Sequence, residues 1–125
     1  MEPRNPITKE QIQRALRERH SAGVQDKLDH ARVAVAGLGG LGSNVAFALA
    51  RIGVGHLHLI DFDRVDLTNL NRQQYLLRHL GMYKTDALKE ELLQINPYLD
   101  IRTDCIRVTE GNLPELFAED PIVCE

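Results

Sequence analysis

Residues 61–73 read Asp-Phe-Asp-Arg-Val-Asp-Leu-Thr-Asn-Leu-Asn-Arg-Gln, a short segment dense in acids, amides and one arginine. Carboxylates accept from hydroxyls, and a guanidinium grips phosphate through two parallel bonds. Ahead of it lies Ala36-Gly-Leu-Gly-Gly-Leu-Gly42. Gly37, Gly39 and Gly42 fit G-x-G-x-x-G, with an apolar run before and helical spacing after. In that pattern the first glycine permits a tight turn, the second admits a ligand close to the backbone, and the third lets helix and strand pack closely. The helix behind such a loop offers free N–H groups to an anion. Asp61 closes the second apolar run, about the ~20 residues downstream expected of a carboxylate that accepts from ribose hydroxyls. The pairing predicts a bound nucleotide. The chain holds no G-x-x-x-x-G-K-[ST], so a Walker-type phosphate loop is excluded.

A dinucleotide dehydrogenase needs little beyond its ribose carboxylate. This chain continues with Asp63, Asp66, Asn69, Asn71, Arg72 and Gln73, and then Lys84. A triphosphate carries several negative charges, and adenylate formation concentrates more on the α-phosphorus in the transition state. Arg72 supplies a planar bidentate donor and Lys84 a compact charge suited to that task. Lys84 also opens a predicted helix, where a cation opposes the helix dipole unless an anion lies near. These residues favour binding ATP and using it to activate a carboxylate. An NAD-dependent Rossmann oxidoreductase is the alternative; it explains the glycines and Asp61 but leaves Asn69, Arg72 and Lys84 idle.

The elements that must position these groups follow from periodicity. Residues 1–8, with two prolines, read as a loose lead-in. Helical spacing over 8–29 carries a capping box at Thr8 and Gln11, with Gly23 as the expected break between two helices. Val33–Ala36 reads as a buried parallel strand, Ser43–Ile52 as a helix ended by glycines, and His56–Ile60 as a second strand. A short helix is expected over 73–80, stopped by Gly81. An amphipathic helix follows over 85–95, a strand over 99–103, a helix over 112–118 and a final strand from Pro121. Strands alternating with helices predict an α/β, Rossmann-like, doubly wound and mainly parallel sheet. The division expected is an N-terminal helical arm over 1–30 and the front part of an ATP-binding adenylation domain over 31–125. Because the last residues read as a strand, the chain resembles the front of a longer protein.

Composition bounds the partners. The 125 residues carry a net charge of −3, which disfavours nucleic acid or an anionic membrane as partner. No apolar run approaches the ~18 residues of a membrane span, and a cytoplasmic protein is expected. Cys105 and Cys124 form no Cys-x-x-Cys pair and read as core filler. His56 and His58 alternate on one strand and read as partly exposed strand residues, not ligands.

The string Gly-Leu-Gly-Gly-Leu-Gly, then Asp61 to Gln73, then Gly81-Met-Tyr-Lys84-Thr resembles the ThiF/MoeB/HesA family, relatives of ubiquitin-activating enzymes. The resemblance spans roughly residues 17–125 and is nearest to a ThiF-like branch. It implies ATP-dependent adenylation of the C-terminal glycine carboxylate of a small ubiquitin-like sulfur-carrier protein, as in thiamine thiazole or related sulfur-transfer biosynthesis. It also implies a homodimer. Carried onto this chain, the ATP-binding set is Gly37, Gly39, Gly40, Asp61, Asp63, Thr68, Asn69, Leu70, Asn71, Arg72, Gln73 and Lys84. Asp61 would bind the ribose, while Asn69, Arg72 and Lys84 would approach the phosphates. An arginine of the N-terminal arm, Arg19 or Arg17, would cross to the other protomer's site. The Mg2+-binding aspartate of the family would fall beyond Glu125, so adenylation by residues 1–125 alone is expected to be impaired. A truncated, non-catalytic nucleotide-binding or dimerisation module is the further alternative. One branch of the family acts on a modified tRNA adenosine instead of a carrier protein.

Overall fold

The computed structural model describes residues 6–125, without the side chain of Ala22. The lead-in over residues 1–5 lies outside that range. Two helices come first, α1 (Lys9–Arg17) and α2 (Ala22–His30). Thr8 and Gln11 form the expected capping box. The break falls at residues 18–21 instead of at Gly23, because the Ser21 hydroxyl accepts the Val24 N–H and starts α2. Gly23 is therefore inside a helix. An N-cap side chain outweighs the ~1 kcal/mol cost of one glycine.

Then follow β1 (Arg32–Ala36), α3 (Gly40–Ile52), β2 (His56–Ile60), α4 (Lys84–Ile95), β3 (Asp100–Asp104), α5 (Leu113–Leu116) and β4 (Ile122–Cys124). The strands form one parallel sheet in the order β3-β2-β1-β4. This is the doubly wound α/β arrangement that the alternation predicted. The helix expected over 73–80 is instead a short 3-10 turn at Leu77–His79, preceded by another at Leu67–Asn69.

The pleat divides the sheet's side chains. Val33, Val35, Leu57, Leu59 and Ile101 pack against α3 and α4 through Ala46, Ala50, Leu88 and Leu92. On the opposite face Ala34 and Ile60 are covered by Leu116 and Phe117 of the α5 region. His58 shares that face and is only 3% exposed, contrary to its reading as a partly exposed strand residue. Two carboxylates from other parts of the chain bury it, which no local pattern discloses. His56 is half-buried, as expected. Cys105 is exposed, not core filler, since β3 has ended before it; Cys124 is half-buried against the main core.

Two glycines fix the approach of α3 to β1. Gly37 has φ +92°, a left-handed conformation that β-carbon crowding disfavours. At Gly42 an added Cβ would lie 1.7 Å from the Gly37 carbonyl oxygen. Gly42→Ala is therefore expected to cost about 2–4 kcal/mol in urea unfolding; a loss below about 0.5 kcal/mol would refute this tight approach.

Candidate functional site

A cleft of about 610 Å³ opens where β1, β2 and β4 end. Between β1 and β4 the strand order reverses, the crevice in which open α/β sheets bind ligands. Gly37, Asp61 and Asp63 line it, with Phe62, Arg107, Val108, Phe117 and Val123 among its other walls. The Arg107 guanidinium lies 4.6 Å from the centre of the Phe62 ring.

Asp61 couples β2 to the glycine loop. One carboxylate oxygen accepts the Leu38 N–H at 2.7 Å and the other the Asp63 N–H at 2.8 Å. A carboxylate has about four acceptor sites, so capacity remains for hydroxyls. The carbonyls of Leu38, Gly39 and Gly40 are taken up by side chains: Tyr75 Oη donates to Leu38 at 2.7 Å, Ser43 Oγ to Gly39 at 2.6 Å, and Asn44 Nδ2 to Gly40. Sequence reading missed Leu38, Ser43, Asn44 and Tyr75, since their roles depend on contacts across the fold.

The segment after Asp61 returns on itself. Val65 N–H donates to Met82 O at 2.8 Å and Lys84 N–H to Asp63 O at 3.0 Å, so the start of α4 sits beside the cleft loop. Lys84 is 6% exposed, yet no carboxylate or hydrogen-bond acceptor among the described residues engages its ammonium. A cation without a counter-ion at a helix N-terminus opposes the helix dipole, and an incoming anion removes that opposition. Arg72 is exposed and lies along Gly40, whose position would bring a Cβ 3.5 Å from Arg72 Cδ. It donates weakly to Thr68 O at 3.4 Å and Asn71 Oδ1 at 3.2 Å, with no carboxylate partner among the described residues.

Thr68, Asn69 and Leu70 belong to a capped 3-10 turn in which Asp66 and Asn69 exchange bonds with each other's backbone neighbourhood. Gln73 is buried beside Gly39 with its Oε1 unpartnered. The structure thus gathers Gly37, Asp61 and Asp63 in the cleft wall, with Gly39, Gly40, Arg72 and Gln73 contiguous at the head of α3. Arg19 lies elsewhere: with Ala50, Arg51 and Asn96 it lines a groove at the far ends of α3 and α4.

Among the described residues the one cluster of three donors is His79, Glu90 and Glu91. There the Leu76 N–H donates to His79 Nδ1 at 2.8 Å, which puts the ring proton on Nε2, 3.2 Å from Glu91 and off a hydrogen-bonding line. A protonated Nε2 is no ligand, and Arg78 already occupies both glutamates.

Fold and cleft define a Rossmann-type domain with a nucleotide-binding form and two cations without counter-ions. The chain belongs to the ThiF family, whose model matches residues 9–125. It is 40% identical over 102 residues to the molybdopterin-synthase adenylyltransferase of Haemophilus influenzae, covering 81% of this chain and 42% of that protein. It is 42% identical over 93 residues to the tRNA threonylcarbamoyladenosine dehydratase of Bacillus subtilis, covering 74% of this chain and 37% of the relative. The crystal structure of the E. coli tRNA N6-threonylcarbamoyladenosine dehydratase TcdA in complex with ATP superposes with a TM-score of 0.82 at 33% identity, over 92% of this chain and 49% of that one. The chain spans less than half the length of each of these proteins. Among the described residues no helix is long and apolar enough to cross a membrane.

Burial, and then the charge of Asp61, raises the pKa of Tyr75 above its usual 10.0. The neutral phenol's bond to Leu38 therefore contributes fully below pH 10 and is lost as pH rises past the raised value. Tyr75→Phe is expected to lose about 1–2 kcal/mol near neutrality and to flatten the alkaline fall in stability. Urea unfolding at several pH values reads both, and an unchanged alkaline slope would reject this role.

Proposed function

We propose that this protein is an ATP-dependent adenylyltransferase that activates the C-terminal glycine carboxylate of a small ubiquitin-like sulfur carrier. The observation that carries this reading is Lys84, a largely buried side chain whose ammonium has no counter-ion among the described residues and which backbone bonds hold beside Asp63. The position suits a polyphosphate and has no use in hydride transfer from NAD. A carboxylate oxygen of the carrier attacks the α-phosphorus, the bond to the bridging β-oxygen breaks, and pyrophosphate departs. Arg72 and Lys84 hold the charge that grows on the phosphates, and Asp61 accepts from the ribose hydroxyls. No step is assigned to a metal.

Calorimetric titration of the chain separates the readings. ATP is expected to bind and NAD to bind at least about tenfold more weakly; the reverse order would favour the oxidoreductase. Lys84→Met is expected to weaken ATP at least about tenfold, some 1.4 kcal/mol, while leaving stability within about 0.5 kcal/mol of wild type, because the ammonium has no partner to lose. Equal ATP affinity in this variant would reject Lys84 as a phosphate ligand.

A second reading is favoured by the match to TcdA over 92% of the chain: activation of the threonylcarbamoyl carboxylate on a modified tRNA adenosine. Pyrophosphate exchange stimulated by such a tRNA, and not by a glycine-terminated carrier, would select it. In either reading we place the protein in the cytoplasm as a homodimer, with the arm of residues 1–30 reaching the partner's site; thiamine biosynthesis is the pathway proposed for the carrier reading. The far placement of Arg19 from its own cleft makes this testable. Mixing an Arg17→Ala/Arg19→Ala protein with a Lys84→Met protein is expected to restore exchange activity through hybrid dimers, and no gain over either parent would remove the crossing arginine.

A further inference from the structure

His58 stands at the centre of β2, and both of its ring nitrogens meet carboxylates. Nδ1 lies 2.6 Å from Asp120 Oδ2 and Nε2 lies 2.6 Å from Asp104 Oδ2. One buried side chain thus joins two aspartates through both of its ring nitrogens, each at hydrogen-bonding distance. Arg102 Nε, 3.3 Å from Asp104, adds a cation to the cluster.

The two aspartates bracket residues 105–119, the segment that supplies Ile106, Arg107, Val108, Leu113 and Phe117 to the cleft wall. The hydrogen bonds made by this segment are internal or run to Asp120; among the described residues none reaches the sheet. Leu116 and Phe117 pack on Ala34 and Ile60, and Phe117 stands edge-on to the His58 ring at 6.3 Å. Glu119 approaches Arg32 and Arg102 only at 4.0 Å, in solvent. One buried side chain therefore ties down both ends of a wall that has few other polar ties.

We propose that His58 is a positioning residue for the cleft: by holding Asp104 and Asp120 together it sets the 105–119 wall against which the nucleoside part of the ligand rests. The proposal builds on the nucleotide reading above. The polyphosphate end is held from the other side, at Arg72 and Lys84, so loss of the clamp weakens the nucleoside contact alone.

Three variants test it. His58→Gln keeps one bond at most. The pair His58→Leu with Asp120→Leu removes the clamp without stranding a buried charge, because Asp104 keeps Arg102; apolar replacement of a buried ion pair is often tolerated. Asp120→Asn still accepts from Nδ1 and serves as the conservative rescue. Amide hydrogen exchange of the free chain, and calorimetric affinity for ATP and for inorganic tripolyphosphate, are measured for each. The first two variants are expected to raise exchange about tenfold across 105–119 and not in β1 or α3, to weaken ATP about tenfold, and to leave tripolyphosphate unchanged. Asp120→Asn is expected to stay within about twofold of wild type. Unchanged exchange across 105–119 overturns the clamp. Raised exchange with unaltered ATP affinity, or a parallel loss of tripolyphosphate, overturns the positioning role. A wild-type chain that binds no ATP fails before any variant is made, and defeats the nucleotide reading together with this role.

Discussion

The Asp61 carboxylate, bonded to the Leu38 and Asp63 N–H groups, is the interaction on which the upper end of the sheet depends. It joins a strand end to a glycine loop that is 23 residues away in sequence. The Gly37 N–H adds a bond to Ile60 O at 2.8 Å, the last tie between β1 and β2. With both ends fixed, the loop enters α3 at one angle, which Gly42 alone can accommodate. Tyr75, Ser43 and Asn44 then occupy the loop's carbonyls from behind. A site built in this way needs little reorganisation when a ligand arrives, which is the condition for electrostatic stabilisation of a transition state.

Charge is handled in opposite ways at the two sides of the cleft. Around the start of α4 and the head of α3, Lys84 and Arg72 lack carboxylate partners among the described residues. On the opposite face His58 has a carboxylate on each nitrogen and is closed to solvent. A cation that lacks a counter-ion at a helix N-terminus favours the arrival of an anion. A histidine joined to two carboxylates instead fixes its neighbours. The first arrangement suits ligand capture and the second suits a rigid wall.

Much of this was legible from residue types. The alternation of apolar runs with helical spacing predicted all four strands to within about two residues, because core burial imposes periods of two and 3.6 on any chain. The glycine spacing and the acid after β2 marked the strand–loop–helix unit for the same reason that they shape it: tight turns and close approach admit few alternatives. The helix expected over 73–80 did not form, because the chain there turns back to bring Lys84 to Asp63, and that long-range bond outweighs local spacing. His58 was misread because alternation reports which face a side chain takes and is silent on what covers that face. Cys105 was misread because a free cysteine is usually buried, whereas this one lies just past β3 and is exposed.

The sequence by itself determined the fold class, the family, and the types of group available to a nucleotide, since these depend on local spacing and on chemistry that residues carry wherever they lie. Only the tertiary structure decided which of those groups share a cleft. It set Lys84 beside Asp63, Arg72 along Gly40 and Arg19 at the far end of the helices. It also joined His58 to two aspartates 46 and 62 residues away. Such contacts cost loop-closure entropy that no local pattern records, and they form only when the sheet has brought distant strand ends together.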